Sequence, residues 1–272
     1  MKGEIDMPQL SDVKIGFIGF GNMAQAIAKG LLLKKAVAPE RIFACAKNWE
    51  KLRRNTEPQG MVPCRDASEV AEKADLVVIA VKPYLVQEVT APIRGLLREK
   101  IVVSVASGYP FEKYEEILLP GTHHLSTIPN TPVSVGEGIF ICEEKHSLSA
   151  EEYGLVKALF SAIGLVQPVE TRLLDIGGVV SGCGPAFAAM FMEALGDAGV
   201  MYGLPRALSY RLAAQMVAGT GKLMLETGDH PGAMKDAVCS PGGTTILGVA
   251  ALERKGLRSA VIDAIDAIEK GR

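Results

Sequence analysis

The chain has almost no surplus of either charge: 29 Lys and Arg stand against 31 Asp and Glu, for a formal net charge of −2 over 272 residues. Without a basic surface, neither nucleic acid nor an anionic membrane is expected as a main partner. It also lacks the cysteine spacing of a zinc site or disulfide framework. Cys45, Cys64, Cys142, Cys183 and Cys239 are odd in number, form no C-x-x-C pair and sit mostly in apolar or strand-like runs. Reduced thiols in a cytosolic compartment are expected, with no metal site. Residues 1–12 are polar and hold no apolar leader core. No apolar run of roughly 18 residues stands out further on, so neither a signal peptide nor a membrane span is expected and the protein reads as cytoplasmic. The four histidines make no acid–base constellation, and His230, in His230-Pro231-Gly232, reads as structural. What is present is core: 48% of residues are hydrophobic against 22% charged, enough for one large domain or two ordinary ones.

Residues 13–18 read as a buried strand, followed at once by Gly19-Phe20-Gly21-Asn22-Met23-Ala24 and an apolar helical run over residues 26–33. This is a G-x-G-x-x-A dinucleotide fingerprint. Gly19 permits the tight turn, Gly21 lets backbone approach a pyrophosphate, and Ala24 allows close helix–strand packing. Further strand-like runs cover residues 41–45, 75–81, 100–106, 124–128, 138–142 and 164–169, with helical patterns at 49–55, 67–73 and 85–97. Short Val- and Ile-rich runs separated by helices predict an α/β fold with a doubly wound parallel sheet.

Beyond about residue 170 the pattern turns helical, over residues 185–200, 205–226, 232–238, 244–254 and 257–270. Pro185 and Pro205 suit first-turn positions, and Gly203, Gly228 and Gly256 suit stops. The run over residues 186–201 is apolar nearly all round. So small a helical domain cannot cover such a helix alone, which predicts a partner subunit.

An Asp or Glu about 20 residues past the fingerprint usually binds the ribose of NAD. Here that position holds Ala46-Lys47-Asn48 and no acid. Lys47 suits a 2′-phosphate, which favours NADPH over NADH, whereas Arg53 and Arg54 read as a solvated helix face. The strand exit Ala80-Val81-Lys82-Pro83 falls at the sheet edge where ligands collect. The small Ala106 and Ser107 allow close passage of a nicotinamide. Asn130, in Thr127-Ile-Pro-Asn-Thr-Pro132, offers a donor and an acceptor for a carboxamide. Near the other end, Ser240-Pro241-Gly242-Gly243 makes a tight turn before Thr244, Thr245 and an apolar helix. Free N–H groups and the positive end of a helix dipole suit a small carboxylate or phosphate there.

Together these motifs resemble the Δ1-pyrroline-5-carboxylate reductase family almost end to end. The resemblance is carried by Gly16-Phe-Ile-Gly-Phe-Gly-Asn-Met-Ala24, Ala80-Val-Lys-Pro83, Pro129-Asn-Thr-Pro132, Ser181-Gly-Cys-Gly-Pro-Ala186, His230-Pro-Gly232 and Lys235-Asp-Ala-Val-Cys-Ser-Pro-Gly-Gly-Thr-Thr-Ile246. The first is shared with other dehydrogenases; the last is specific to the family. It implies an N-terminal Rossmann-type domain over residues 1–168 and an all-α dimerisation and substrate domain over 169–272. It also implies an intertwined homodimer, with larger rings of dimers, whose site lies between a nucleotide domain and the helical domains. The implied reaction is hydride transfer from NAD(P)H to the C=N carbon of 1-pyrroline-5-carboxylate, giving L-proline. Ser240, Gly242, Gly243 and Thr244 would hold the substrate carboxylate, and Thr245, the catalytic candidate, the ring nitrogen. The cofactor would contact Ile18, Gly19, Phe20, Gly21, Asn22, Met23, Ala46, Lys47, Asn48, Ala80, Val81, Lys82, Pro83, Ala106, Ser107 and Asn130.

The chain departs from the family pattern at Ala46-Lys47-Asn48, where a polar set such as Ser-Asn-Arg is common. It also has Ser126 for an Arg, Ile128 for a Met and Cys183 for a Ser. The β-hydroxyacid dehydrogenases share the glycine loop, but their G-x-x-x-N-x-x-K helix has no counterpart after Gly177. A non-catalytic NADP-binding module would not need the hydroxyl-bearing anion turn.

Overall fold

The computed structural model describes residues 12–271, so the polar opening stretch 1–11 lies outside the described residues. The chain divides into two compact units between Gly182 and Cys183.

The first unit is built on eight strands: β1 (Ile15–Ile18), β2 (Ile42–Cys45), β3 (Val62–Pro63), β4 (Leu76–Ile79), β5 (Ile101–Ser104), β6 (His123–Pro129), β7 (Gly138–Glu143) and β8 (Gly164–Val169). They lie in the order β3-β2-β1-β4-β5-β6-β7-β8. Strands β1, β4 and β5 are buried at every position, which explains sequences apolar but for Gly16 and the hydrogen-bonded Ser104. Helices α1 (Asn22–Leu33), α2 (Trp49–Thr56), α3 (Ala67–Lys73), α4 (Val86–Thr90), α5 (Arg94–Leu97), α6 (Phe111–Ile117) and α7 (Ala150–Ser161) connect them. Three buried clusters form among the described residues: one holds Phe17, Ile27 and Phe160, another Ile79, Leu97 and Tyr114, and a small third Ile128, Ile141 and Leu174.

Three expectations change. The sheet is mixed, because β7 runs antiparallel to β6. The link between them is a short 3-10 turn, Thr131–Val135, and a parallel return needs a crossover of about a dozen residues or more. The helix expected over residues 85–97 is broken into α4, a 3-10 turn at Ala91–Ile93 and α5, since Pro92 has no N–H to continue the ladder. Pro185 does not start a helix: it lies inside α8 (Thr171–Met201), a 31-residue helix.

The first turns of α8 pack on the sheet. Leu174 and Val179 are buried, and a Cβ on Gly178 would lie 2.7 Å from Ile128. The first compact unit therefore extends into the opening turns of α8.

The second unit continues α8 and adds α9 (Arg206–Thr227), α10 (Pro231–Ala237), α11 (Thr244–Arg254) and α12 (Leu257–Lys270). Gly203, Gly228 and Gly256 take positive φ and end their helices as expected. Ser209 Oγ donates to the Gly196 carbonyl at 3.0 Å, and a Cβ on Gly196 would strike the Tyr210 ring, so α8 and α9 meet closely. Large apolar side chains remain exposed, among them Met190, Met201, Leu212, Met216, Leu225 and Leu247. By length and a mean hydropathy of 1.4, α8 alone among the described residues could cross a membrane. The absence of such a run is therefore corrected.

Candidate active site

Gly19 follows β1 at φ +89°, and a Cβ there would lie 2.7 Å from both the Ala80 carbonyl oxygen and Val81. Only glycine satisfies both constraints, and it brings the exits of β1 and β4 together. The order of strands reverses at this point, where α/β sheets open a ligand crevice. Gly21 then caps α1 with no side chain, and no atom lies within 4 Å of where its Cβ would be. The uncapped N–H groups of α1 face that open space. Such a cradle fits a pyrophosphate.

A cleft of about 540 Å³ opens there, lined by Gly21, Asn22, Met23, Ala80, Val81, Lys82, Pro83, Ala106 and Ser107. Nine residues singled out from three separate sequence segments thus meet in one cavity. Val105 and Thr131 also line it; they neighbour Ala106 and Asn130 in sequence but were not singled out as contacts. Its floor is held by Ser104, whose Oγ accepts from the Ala106 N–H and from Tyr114 at 2.7 Å, while Thr127 donates to the Ser104 carbonyl. Burial drives the Tyr114 phenol well above its ordinary pKa, so it stays a neutral donor.

Other expected contacts fall elsewhere. Ile18 and Phe20 are buried in the two larger cores, so only their backbone can reach a ligand. Asn48 caps α2: its Oδ1 accepts from the Lys51 N–H at 2.9 Å, leaving only its amide nitrogen. It lines a separate recess of about 530 Å³ with Glu50, Lys51, Arg53, Arg54 and Glu57. Ala46 packs beside the core and Lys47 is exposed. Arg53 pairs with Glu57 at 2.6 Å, consistent with a solvated face. Arg65, 4.0 Å over the Trp49 ring, is a cation near this strand end that spacing did not reveal.

Asn130 is a correction. Its Oδ1 accepts from the Ile139 N–H at 2.9 Å and its Nδ2 donates to the Ser181 carbonyl at 3.0 Å, with 5% of the residue exposed. Both ends of the amide serve the fold rather than a carboxamide.

In the second unit, the Gly243 N–H donates to the Ser240 carbonyl at 3.0 Å and Gly242 takes φ +68°. Pro241 at the second corner and a left-handed glycine at the third make a type II pattern. A Cβ on Gly243 would lie 2.4 Å from Ser240 Oγ, which would have to turn away to admit a side chain. Gly243 caps α11 without a side chain, leaving the first N–H groups of the helix unpaired. Thr244 and Thr245 are exposed, and among the described residues neither hydroxyl has a hydrogen-bond partner. His230 Nδ1 accepts from the Gly232 N–H and caps α10, a structural role. Among the described residues no group of three His, Cys, Asp or Glu could hold a metal ion. Burial pushes the Cys45 and Cys64 thiols up to about 11 and Cys142 up to about 12, so all three are protonated and unreactive.

Two family models match: NADP oxidoreductase coenzyme F420-dependent over residues 14–108, and pyrroline-5-carboxylate reductase dimerisation over residues 171–271. A pyrroline-5-carboxylate reductase from Treponema pallidum is 42% identical over 259 residues, covering 94% of this chain and 98% of the relative. The chain belongs to the pyrroline-5-carboxylate reductase family. The Escherichia coli member is 39% identical over 253 residues, covering 93% of this chain and 94% of its own. The crystal structure of the Plasmodium falciparum pyrroline carboxylate reductase with NADP bound superposes with a TM-score of 0.83 at 31% identity, covering 94% of this chain and 95% of that one. The cleft and the turn both lie within segments matched to the family, and the exposed apolar helices lie in its dimerisation segment.

Proposed function

We propose that this chain reduces 1-pyrroline-5-carboxylate to L-proline with NADPH, the last step of proline synthesis. The observation that carries this is the 42% identity to a reductase of that name over 94% of the chain, spanning the dinucleotide cleft and the anion turn alike. NADPH supplies a hydride to the carbon of the C=N bond; the bond's electron pair moves to nitrogen, which holds or gains a proton.

The protein's part is placement. An imine carbon is already electrophilic, so alignment contributes more than a strong acid. The unpaired N–H groups of α11 and the Ser240-to-Gly243 turn hold the carboxylate. The Thr245 hydroxyl orients the ring nitrogen, with Thr244 beside it in the same loop. The α1 N-terminus holds the pyrophosphate, Lys82 and Pro83 border the cleft, and Lys47 with the Asn48 amide serves the 2′-phosphate. NADH is accepted less well, for want of that contact.

The working form is an intertwined homodimer, assembled further into a ring, cytoplasmic, and without a nucleic-acid or membrane partner. The apolar face of α8 is then covered by a second copy. Incubating purified protein with pyrroline-5-carboxylate and NADPH, and separately NADH, tests the reading. Substrate-dependent loss of nicotinamide absorbance is expected, faster with NADPH, together with stoichiometric proline. No loss with either cofactor rejects it.

A further inference from the structure

The Asn130 amide is bonded at both ends, and one of its partners is unusual. In a continuous helix the Ser181 carbonyl accepts from the N–H four residues on. That residue is Pro185, inside α8, which has no N–H. The carbonyl lies in a residue only 7% exposed, and a buried carbonyl left without a donor loses its water partners uncompensated. Asn130 Nδ2 supplies the missing donor at 3.0 Å.

The same asparagine opens the 3-10 turn Thr131–Val135, and Thr131 lines the cofactor cleft. That turn is wedged on two further sides. A Cβ on Gly30 of α1 would lie 2.1 Å from the Val133 carbonyl oxygen, and one on Gly138 of β7 would lie 2.6 Å from the Val133 nitrogen. Ser181 itself is fixed, its Oγ donating to the Gly177 carbonyl at 2.8 Å. The cleft wall at Thr131 therefore takes its position from three contacts, one of them a carbonyl set free by a proline.

We infer that Asn130 is a positioning residue for cofactor binding, clamping the Thr131 wall of the cleft to the carbonyl that Pro185 leaves open in α8. This rests on the reductase reading for the identity of the cofactor. The clamp itself rests only on the geometry.

A cycle of Asn130→Ala, Pro185→Ala and the double variant tests it by titrating NADPH. Asn130→Ala is expected to raise the NADPH Kd about tenfold, the equivalent of one lost buried hydrogen bond. Pro185→Ala returns an N–H to the helix, so in that background the loss of Asn130 should raise Kd only about threefold, a non-additive result. Penalties that multiply, or an Asn130→Ala protein that melts lower with an unchanged NADPH Kd, would overturn the proposal. Should Asn130→Ala fail to fold, Asn130→Asp keeps the acceptor for Ile139, loses the donor for Ser181 and carries the same cycle. If the wild type binds no NADPH, the reductase reading fails instead. The clamp is then decided by the same cycle read in Tm, where additive shifts overturn it.

Discussion

Thr245 sits at the second position of α11, exposed, with its hydroxyl unbonded among the described residues. Gly243, not a threonine, occupies the cap, so replacing Thr245 removes no capping bond. Thr245→Ala should therefore lower kcat about tenfold to a hundredfold, one lost hydrogen bond of about 1–3 kcal/mol. Tm and the NADPH Kd should stay unchanged. Steady-state kinetics beside a binding titration check this, and an equal loss in both would move Thr245 from chemistry to turn stability. Residue identity was a more specific guide at the glycines than at the asparagines. Gly19 and Gly21 have few uses other than the ones their spacing announced. An asparagine amide serves a ligand or a backbone equally well: Asn130 bonds backbone at both ends, whereas Asn48 spends its oxygen on the α2 cap and keeps its amide nitrogen.

At the scale of elements, β6 and α6 form a unit whose stability depends on pH. His124 on β6 stacks on Phe111 at 4.5 Å, neighbours Tyr114, and its Nε2–H donates to Glu115 at 2.7 Å, while its Nδ1 has no partner. Burial holds this imidazole below its ordinary value, against the pull of Glu115 and Glu143. The unfolded chain then binds more protons than the folded one below the ordinary histidine value of about 6.5, so stability falls as pH drops through that range. Between pH 7 and 5, the wild type should lose Tm more steeply than His124→Gln, as thermal melts across buffers would show; parallel curves would remove His124 from the effect.

Elements with a strong period were the legible ones, such as β4, β5 and α3, whose limits fall within a few residues of the apolar pattern. The two-residue β3 leaves too short a pattern to register. The direction of β7 leaves none, because a strand's side-chain alternation is the same whichever way it pairs.

For the whole molecule, the second unit exposes apolar surface that a soluble helical domain does not leave in water. Leu212 and Met216, four apart on α9, are 52% and 46% exposed. Self-association follows from the dimerisation segment that these helices match. Tm should rise with protein concentration, since association stabilises the folded subunits by mass action. Leu212→Arg with Met216→Arg should lower the mass seen by light scattering toward 28.9 kDa and reduce turnover with it. A monomer that retains full turnover would separate assembly from activity.

The amino-acid order alone carried the class of fold, the dinucleotide fingerprint and the need for a second copy. Each rests on local chemistry: a glycine where no Cβ fits, a helix that opens without a cap, an apolar face too broad for its domain. Folding in three dimensions settled the rest. It showed that Asn130 is spent on Ser181, that the fingerprint, the Ala80-to-Pro83 exit and the loop after β5 share one cavity, and that the compact boundary falls inside α8. Those outcomes depend on contacts between residues far apart in the chain, which periodicity and spacing do not encode.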